Sequence, residues 1–400
     1  MLRSSSICMS FLYNYLTSDS ECTDKNGNVL DKKCQKLRCL SDTLQSYGGV
    51  LSKLSQMLSL NDENSSVFSD CKPFSKEKTI RYFKEFIQNT NLHIKDVDFN
   101  VYKSGSVGQV HKCKYKGENV IFKVQYVGLA EQTLTDLNML DKITSYLYYF
   151  ADMKEAMVDI KTKMYEELDY KLEAKNQQMI YELYLGNKDV EIPKIIPELC
   201  NDKILGMTYI KGRSLDNFIE NSTQEQRNKL GMCIVKFVFE NLYKYGILYS
   251  DVHYGNFLVK DDSTLCVLDF GCLHKIKDHL LENIRALHIS IRNKDKDSFY
   301  STVKLMGIIK EDISQKSKDY IYEYFKLQYE PWTSEQFVFT EEWLDVAVEK
   351  ETELMKEWLL PQDMVYFNKI PYGAYHIFTK LKLEGKFLQV FDKIFENINE

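Results

Sequence analysis

The chain has 400 residues, of which 44% are hydrophobic and 28% are charged, and its formal net charge at pH 7 is −6. This length suits one large two-lobed domain or two ordinary ones, and the apolar fraction is sufficient for a sizeable core. The acidic balance excludes the overall basic excess of a typical nucleic-acid-binding protein, so we expect no nucleic-acid partner.

Targeting and cysteine patterns indicate an intracellular protein. No apolar run approaches the ~20 residues of a membrane-spanning helix, and the first residues, MLRSSSICMSFLYNYL, lack the uninterrupted apolar stretch of a secretory signal. The ten cysteines include no Cys-x-x-Cys pair, which argues against a zinc site and for reduced, mostly buried thiols. We expect a soluble or peripherally membrane-associated protein, and its compartment stays open.

The predicted elements begin with a variable segment, residues 1–40, and a helical extension, residues 41–98. Within the extension, apolar residues recur at helical spacing over residues 41–60, and a second helix is predicted from Ser75 to Asn89. From Phe99 on, the pattern changes to short strands separated by glycine-containing turns.

The remaining elements follow the order of a protein kinase. They are three strands from residue 99, with turns at 104–108 and 116–119, helices over about 129–185, strands at 189–196 and 203–210, and then helices, interrupted by strands at 257–262 and 264–271. We therefore predict an α+β, bilobal protein-kinase-like fold with an N-terminal helical extension. A small β-rich N-lobe is predicted at 99–210 and a helical C-lobe at 211–400.

The first candidate for chemistry is a glycine turn followed by a lysine on a strand. Gly105 and Gly108 flank a turn where backbone N–H groups can approach phosphate oxygens closely. Lys123 follows the apolar run Val-Ile-Phe and matches the strand lysine with which kinases contact phosphates. Taken alone, such a turn is more often an ordinary hairpin turn, and such a lysine more often reaches solvent from a strand edge.

An acidic helix supplies a candidate partner for this lysine. Glu167, Asp169 and Glu173 alternate with apolar residues, and Glu173 is predicted to contact Lys123. A solvated helix face would give the same pattern, so this segment alone leaves both interpretations open.

The strongest signal is a catalytic-loop motif followed by a literal Asp-Phe-Gly. Asp251 and Asn256 have the D-x-x-x-x-N spacing of a kinase catalytic loop. Asp269 begins D-F-G at the end of the apolar strand TLCVL, where a carboxylate is well placed to bind a metal ion. His253 is interpreted as a structural loop residue, because neither Mg²⁺ nor phosphoryl transfer needs an imidazole.

These motifs resemble the UbiB/ADCK family of atypical kinases over about residues 47–275. The segments that carry the resemblance are GSVGQVH at 105–111, KVQYVG at 123–128, ELDYKLE at 167–173 and DVHYGN at 251–256. The chain departs from the family at Gly105, which replaces an alanine, and at Val252 and Tyr254, which replace prolines.

The resemblance implies a role for each matching residue. Asp251 would be the catalytic-loop acid, Asn256 and Asp269 would bind Mg²⁺, and Glu173 would hold Lys123. The residues expected to contact ATP are Gly105, Ser106, Val107, Gly108, Gln109, Lys123, Met207 as the gatekeeper, and Thr208 and Ile210 through backbone groups.

The resemblance also implies a regulatory extension. Lys53 and Gln56 resemble the K-x-G-Q signature of the family, with Ser55 in place of its glycine. In the family this extension folds over the nucleotide site, and its lysine meets the acidic pair that corresponds to Glu167 and Asp169.

Three functions are compatible with the motifs. The first is an atypical kinase or ATPase acting on a small-molecule or lipid-linked pathway, such as support of ubiquinone synthesis. The second is a nucleotide-binding pseudokinase that serves as a switch. The third is a conventional Ser/Thr protein kinase, which the short segment after Asp269-Phe-Gly and its lack of an A-P-E triplet disfavour.

Overall fold

The computed structural model describes residues 76–105, 107–146, 162, 165–309, 313–357 and 362–396. The predicted variable segment, the leucine-rich helix at 41–60, Lys53, Gln56 and Ser106 lie outside these ranges. The chain divides into two compact units, of which the first contains Met1–Ala174 and Ile195–Tyr209 and the second contains Lys175–Lys194 and Ile210–Glu400.

The described elements are numbered here in chain order. Up to Tyr209 they are α1 (Lys76–Asn89), β1 (Ile94–Lys95), β2 (Lys103–Ser104), β3 (Gly108–Tyr115), β4 (Glu118–Gln125), α2 (Leu129–Tyr146), α3 (Tyr170–Leu183), β5 (Val190–Glu191) and β6 (Ile204–Thr208). From there on they are β7 (Arg213–Ser214), α4 (Leu215–Glu220), α5 (Gln224–Tyr245), β8 (Ile247–Tyr249), β9 (Phe257–Val259), β10 (Leu265–Val267), β11 (Leu273–Lys275), α6 (Asp278–Arg292), α7 (Lys296–Leu305), α8 (Gln315–Thr333), β12 (Phe337–Val338), α9 (Glu341–Glu357), α10 (Gln362–Leu381), β13 (Glu384–Gly385) and α11 (Phe387–Glu396).

The first unit is built on a five-stranded antiparallel sheet. Its order is β1–β3–β4–β6, and β2 also pairs with β3. Strands β3 and β4 form a tight hairpin because Lys116 and Gly117 both have positive φ angles, 53° and 88°, as a two-residue turn between twisted strands requires. The turn fixes the register, in which Val110 lies opposite Lys123.

One face of this sheet packs against α1. Along β4, buried residues alternate with less buried ones, as the two-residue period of a strand requires. The ring of Phe83 from α1 lies 5.0 Å from the ring of Phe122 and 4.9 Å from the imidazole of His111. Helix α1, predicted as part of the extension, therefore contributes to the core of the first unit.

The second unit is mostly helical and is organised around α5. This helix begins with a capping box between Thr223 and Gln226 and ends at Gly246, whose φ of 61° is the left-handed conformation common after a helix. Buried side chains of α5, such as Phe239, pack in one large core with those of α6, α8, α10 and α11. None of the helices in the described part of the chain is both long and apolar enough to cross a membrane.

Short strands in the second unit were only partly predicted. The pair β9–β10 was expected, and it lies in a four-stranded sheet with the order β5–β10–β9–β7. The prediction that only helices accompany this pair was wrong, because β8 pairs with β11 and β12 pairs with β13. These strands have two or three residues each, too few to show a periodic pattern beside long helices.

Buried thiols occur in both units. Cys113 in the first unit and Cys233 and Cys266 in the second are free and buried. Burial raises the pKa of these thiols to about 12, 11 and 12, respectively. They therefore stay protonated and unreactive at neutral pH.

Candidate functional site

In the first unit, a lysine and a glutamate form a close ion pair. Lys123 Nζ lies 2.7 Å from Glu173 Oε1 and 2.9 Å from Oε2. The Glu173 side chain is 2% exposed and that of Lys123 is 18% exposed. A carboxylate this deeply buried is costly unless it is paired, so the glutamate fixes the position of the ammonium group. The contact expected from the sequence is present, and its role toward a nucleotide stays a prediction.

The start of α3 is positioned by two neighbouring groups. Asp169 Oδ1 accepts hydrogen bonds of 3.0 Å from the backbone N–H groups of Lys171 and Leu172, which caps the helix. Gln125, two residues after Lys123 on β4, donates from Nε2 to the Leu168 carbonyl at 2.9 Å. The cap and the Gln125 hydrogen bond together hold the start of α3, and with it Glu173, beside β4. The cap was not predicted, although an Asp directly before a helix is the usual signal for one.

Gly108 lies where the backbone comes very close to its neighbours. A Cβ atom at this position would lie 2.5 Å from the Val124 carbonyl oxygen and 2.8 Å from the Tyr170 hydroxyl. The Tyr170 ring is itself 5.3 Å from Lys123 Nζ and is almost fully buried. Only glycine fits here, and the glycine turn, Tyr170 and the ion pair form one packed group.

Backbone hydrogen bonds connect the predicted nucleotide-contacting turn to the start of β3 and to the end of β4. Gly105 N–H donates to the Gly108 carbonyl at 2.8 Å, and the Val107 carbonyl accepts from Tyr126 N–H at 3.0 Å. Gln109 lies opposite Val124 in the register, so its side chain is on the face that packs against α1. There its Nε2 lies 3.0 Å from Nε2 of the buried His111. Strand alternation thus directs the side chain of Gln109 into the core, and its contact with a nucleotide stays a prediction.

The predicted gatekeeper region lies beside β4. Met207 pairs with Ile121 and Thr208 pairs with Val120. The side chain of Met207 is 6% exposed and packs in a cluster with Tyr170. Ile210, predicted to offer its backbone to adenine, is a buried residue of the second unit.

In the second unit, the two ends of the D-x-x-x-x-N motif are in contact. Asn256 Nδ2 donates to Asp251 Oδ2 at 2.7 Å and to the Asp251 carbonyl at 3.0 Å. Both bonds use the nitrogen of the amide, which leaves its carbonyl oxygen as the atom suited to a cation. The loop therefore presents a carboxylate and an amide oxygen from residues five positions apart.

Asp269 lies at the same end of the β9–β10 hairpin as this loop. Val267 is opposite Phe257, and the next bond joins Leu268 N–H to the Asn256 carbonyl at 3.0 Å. Asp269 Oδ1 accepts from Gly271 N–H at 3.0 Å, which orients the carboxylate. The strand pairing therefore brings Asp269 next to the Asp251–Asn256 loop.

A buried tyrosine supports this proximity. Burial raises the pKa of the Tyr249 hydroxyl well above its usual range, and the negative charges of Asp251 and Asp269 raise it further. Both carboxylates therefore act on the same buried group. Their mutual repulsion makes this a place where a cation would be favoured.

The donor set consists of oxygen ligands, which suit hard cations such as Mg²⁺ rather than zinc. Within the described ranges, no group of three or more His, Cys, Asp or Glu side chains could hold a metal ion by itself. Mg²⁺ is commonly bound through one or two carboxylates together with the phosphates of a substrate. Asp269 and the Asn256 oxygen match that arrangement, since both are hard oxygen ligands.

His253 has a structural contact within the loop, as interpreted from the sequence. Its Nδ1 accepts a hydrogen bond of 3.1 Å from Gly255 N–H. This bond helps to shape the short 3₁₀ turn Tyr254–Asn256 that presents Asn256.

Helix α10 contacts the Asp251–Asn256 loop, and this contact was not predicted from the sequence. A Cβ at Gly373 would lie 2.3 Å from the Val252 carbonyl oxygen. The helix can therefore approach the loop this closely only because position 373 is a glycine. The Tyr254 hydroxyl donates to the His376 carbonyl at 3.0 Å. Val252 and Tyr254, which replace the prolines of the family motif, are thus both anchored on α10. A glycine inside an apolar helix was the available signal.

Comparison with known proteins gives consistent matches. Residues 66–303 match the family described as the ABC1 atypical kinase-like domain. The chain is 28% identical over 307 residues to a probable serine/threonine-protein kinase, abkB, of Dictyostelium discoideum, covering 68% of this chain and 44% of that protein. It is 25% identical over 313 residues to the mitochondrial atypical kinase COQ8 of Saccharomyces cerevisiae, covering 74% and 60%. The chain thus spans about half the length of these curated relatives.

A solved structure shares the fold. The Rv3197–erythromycin complex from Mycobacterium tuberculosis superposes with a TM-score of 0.65 at 21% identity, covering 89% of this chain and 95% of that chain. Together with a β-rich first unit and a helical second unit, these matches confirm the predicted α+β, bilobal kinase-like fold class.

Proposed function

Since the chain belongs to the ABC1 atypical kinase-like family, as the UbiB/ADCK resemblance predicted, we propose that it binds Mg-ATP and transfers or hydrolyses the γ-phosphate. The observation that carries the proposal is the ion pair of Lys123 with the nearly buried Glu173. A lysine held in this way on a strand is the feature with which kinases neutralise the phosphates of ATP.

In the first unit, Lys123 and the glycine turn are proposed to bind the phosphates of ATP. The ammonium of Lys123, paired with Glu173, offers N–H donors to phosphate oxygens. Gly108 lets the backbone of the turn pack closely against Val124 and against Tyr170, whose ring lies 5.3 Å from Lys123 Nζ. Thr208 is proposed to contact the base through its backbone, as is Ile210, which belongs to the second unit.

In the second unit, three residues are proposed to bind the metal ion and to activate the acceptor. Asn256 Oδ1 and Asp269 would hold Mg²⁺, which neutralises charge on the phosphates. Asp251, oriented by the Asn256 amide, would accept the proton of the attacking hydroxyl or water. Gly271 and Asn256 keep these two carboxylates in place through hydrogen bonds.

We propose a small-molecule or lipid-linked acceptor, such as an intermediate of a quinone pathway, reached through peripheral membrane contact. The family resemblance supports this choice. A conventional protein kinase would need a longer peptide-binding segment after Asp-Phe-Gly, whereas here β11 follows directly and α6 begins at Asp278. Lys53 and Gln56 are proposed to regulate the site through Glu167 and Asp169.

The experiment that tests the proposal is Asp269→Asn in a Mg-dependent ATP turnover assay. Loss of the carboxylate charge should lower turnover at least about 100-fold, because metal neutralisation is central to this chemistry. Asp261→Asn, an exposed change on the same hairpin, should leave turnover unchanged. Undiminished turnover in Asp269→Asn would remove this residue from the metal site.

A binding measurement separates an enzyme from a pseudokinase switch. Mg-ATP at 100 times its Kd should stabilise the folded protein by about 2.7 kcal/mol in either case. Product formation in the same sample supports the enzyme, and stabilisation without product supports the switch.

A further inference from the structure

Strand β4 carries an isoleucine where the kinase pattern has alanine. In the V-A-I-K pattern of kinases, alanine stands two residues before the phosphate-binding lysine, and here that residue is Ile121. Side chains two residues apart on a strand point to the same face. Ile121 therefore shares the face of Lys123, opposite to the face of the buried Phe122.

The pairing of β4 with β6 shows which part of a nucleotide Ile121 would meet. Lys123 lies opposite Leu205, Ile121 opposite Met207, and Val120 opposite Thr208. In the function proposed above, the phosphates lie at Lys123 and the base lies near Thr208. A nucleotide that makes both contacts must extend across Ile121.

Ile121 is held firmly in this position. It is half-buried and packs against a cluster formed by Tyr170, Ile195, Leu205 and Met207. Its β-branched side chain has few allowed rotamers, so it cannot turn aside without disturbing that cluster. Isoleucine also has several more carbon atoms than alanine, all of them on the ligand-facing side of the sheet.

The region beyond Ile121 on the same face is also filled by protein side chains. Lys112 lies opposite Ile121 in the register. Its Nζ is 3.5 Å from the ring centroid of Tyr102 and 4.4 Å from that of Tyr209, and it donates to the Tyr209 hydroxyl at 3.3 Å. A cation between two aromatic rings is a stabilised arrangement, which a base would have to displace.

On the premise of the proposed function, we propose that Ile121 narrows the space between Lys123 and the backbone of Thr208, so that a purine base makes only loose contact there. The protein then holds nucleoside triphosphates mainly by the triphosphate chain and discriminates little between bases. The ligand class is therefore a magnesium-bound triphosphate, with the base contributing little to affinity.

The test compares Mg-ATP with Mg-tripolyphosphate, which has no base, by titration calorimetry on the full chain. The wild-type protein should bind the two within about threefold of each other. Ile121→Ala should tighten Mg-ATP by about tenfold and leave tripolyphosphate unchanged, since several carbon atoms in a pocket change affinity by at least that factor. Ile121→Val, a smaller change that keeps the branched side chain, should give a smaller gain in the same direction.

A matched control separates pocket effects from lost packing. Ile94→Ala removes the same atoms from the opposite face, where Ile94 packs against the core containing Phe122, and should leave both affinities unchanged. Wild-type protein that binds Mg-ATP more than about tenfold tighter than tripolyphosphate would overturn the inference. So would Ile121 variants that bind Mg-ATP no better.

In either of those cases the proposed function still stands, provided that Lys123→Met abolishes binding. Failure of wild type and variants alike to bind either ligand would instead contradict the proposed function, and the inference would fall with it.

Discussion

Glu173 lies in an environment that strongly restricts its replacement. Its carboxylate is 2% exposed and meets a single ammonium through both oxygens. Such a geometry fixes the lysine in place more than it contributes to stability, because desolvation offsets much of the attraction within a buried pair. The pair therefore matters most for where Lys123 can reach.

Glu173→Gln should lower kcat/KM for Mg-ATP by about 10- to 100-fold, because Lys123 loses the charge that positions it. The measurement is steady-state turnover over a range of ATP concentrations. Glu182→Gln, on the exposed side of the same helix, is the matched control and should have no effect. Equal turnover in Glu173→Gln and wild type would show that the pair is structural only.

His288 is a second residue with a measurable consequence. It is fully buried on α6, its Nδ1 lies 3.1 Å from the Tyr243 hydroxyl, and its ring stacks on Phe391 at 4.9 Å. Burial, together with the positive charge of the nearby Arg292, lowers the pKa of this imidazole to about 3. The folded protein therefore keeps His288 neutral where the unfolded chain would protonate it.

This difference predicts a loss of stability in acid. Above about pH 6.5 both states hold a neutral imidazole, and below it only the unfolded chain takes up the proton. The free energy of unfolding should therefore fall by about 1.4 kcal/mol per pH unit between about pH 6 and pH 4 from this group alone. Chemical denaturation of wild type and His288→Phe should show that slope as their difference, whereas the exposed His279→Gln should match wild type. Parallel curves for wild type and His288→Phe would contradict it.

At the scale of elements, α10 and the Asp251–Asn256 loop pack together as one structural unit. Gly373 lets the helix backbone approach Val252, and Tyr254 ties the loop to the helix a turn later. The short loop therefore takes its shape from an element more than a hundred residues away in the sequence. This explains how the loop keeps its form without the two prolines of the family motif.

Gly373→Ala should displace the loop, because its Cβ would lie 2.3 Å from the Val252 carbonyl oxygen. We expect a loss of stability of about 1–3 kcal/mol from overpacking and a fall in kcat of at least about tenfold from misplaced Asp251. The readouts are thermal unfolding and single-turnover kinetics.

Gly231→Ala is the comparison for this variant. It also places a methyl group inside a helix, but against the side chain of Leu383 rather than a backbone atom. It should cost stability and spare kcat. A Gly373→Ala protein with normal kcat would show that the loop is not shaped by α10.

The sequence allowed elements with strong patterns to be predicted, and those without them were missed. The Lys-Gly turn between β3 and β4 could be predicted because the φ preference of glycine is a local property. The helix at Lys76–Asn89 could be predicted because its apolar residues recur at helical spacing. Strands such as β8 and β11 were missed because their pairing is non-local. The side-chain direction of Gln109 depends on register, which a motif alone does not specify.

For the whole molecule, the order of strands and helices was enough to predict an α+β kinase-like fold, because the succession of patterns reflects the succession of units. Contacts that close loops over long separations, such as Tyr254 with His376, could not be predicted, since nothing in the local sequence encodes the partner. The motif spacings did lead to residues in contact, as with Asp251 and Asn256.

The buried thiols allow the local opening of each unit to be measured separately. Cys113 belongs to the first unit and Cys266 to the second, and both are inert while covered because their raised pKa keeps them as thiols. Alkylating reagents can modify these thiols only when the surrounding structure opens transiently. The rate of alkylation of each cysteine therefore reports how often its own unit opens. Peptide mass spectrometry would then show whether nucleotide slows the opening of one unit or of both.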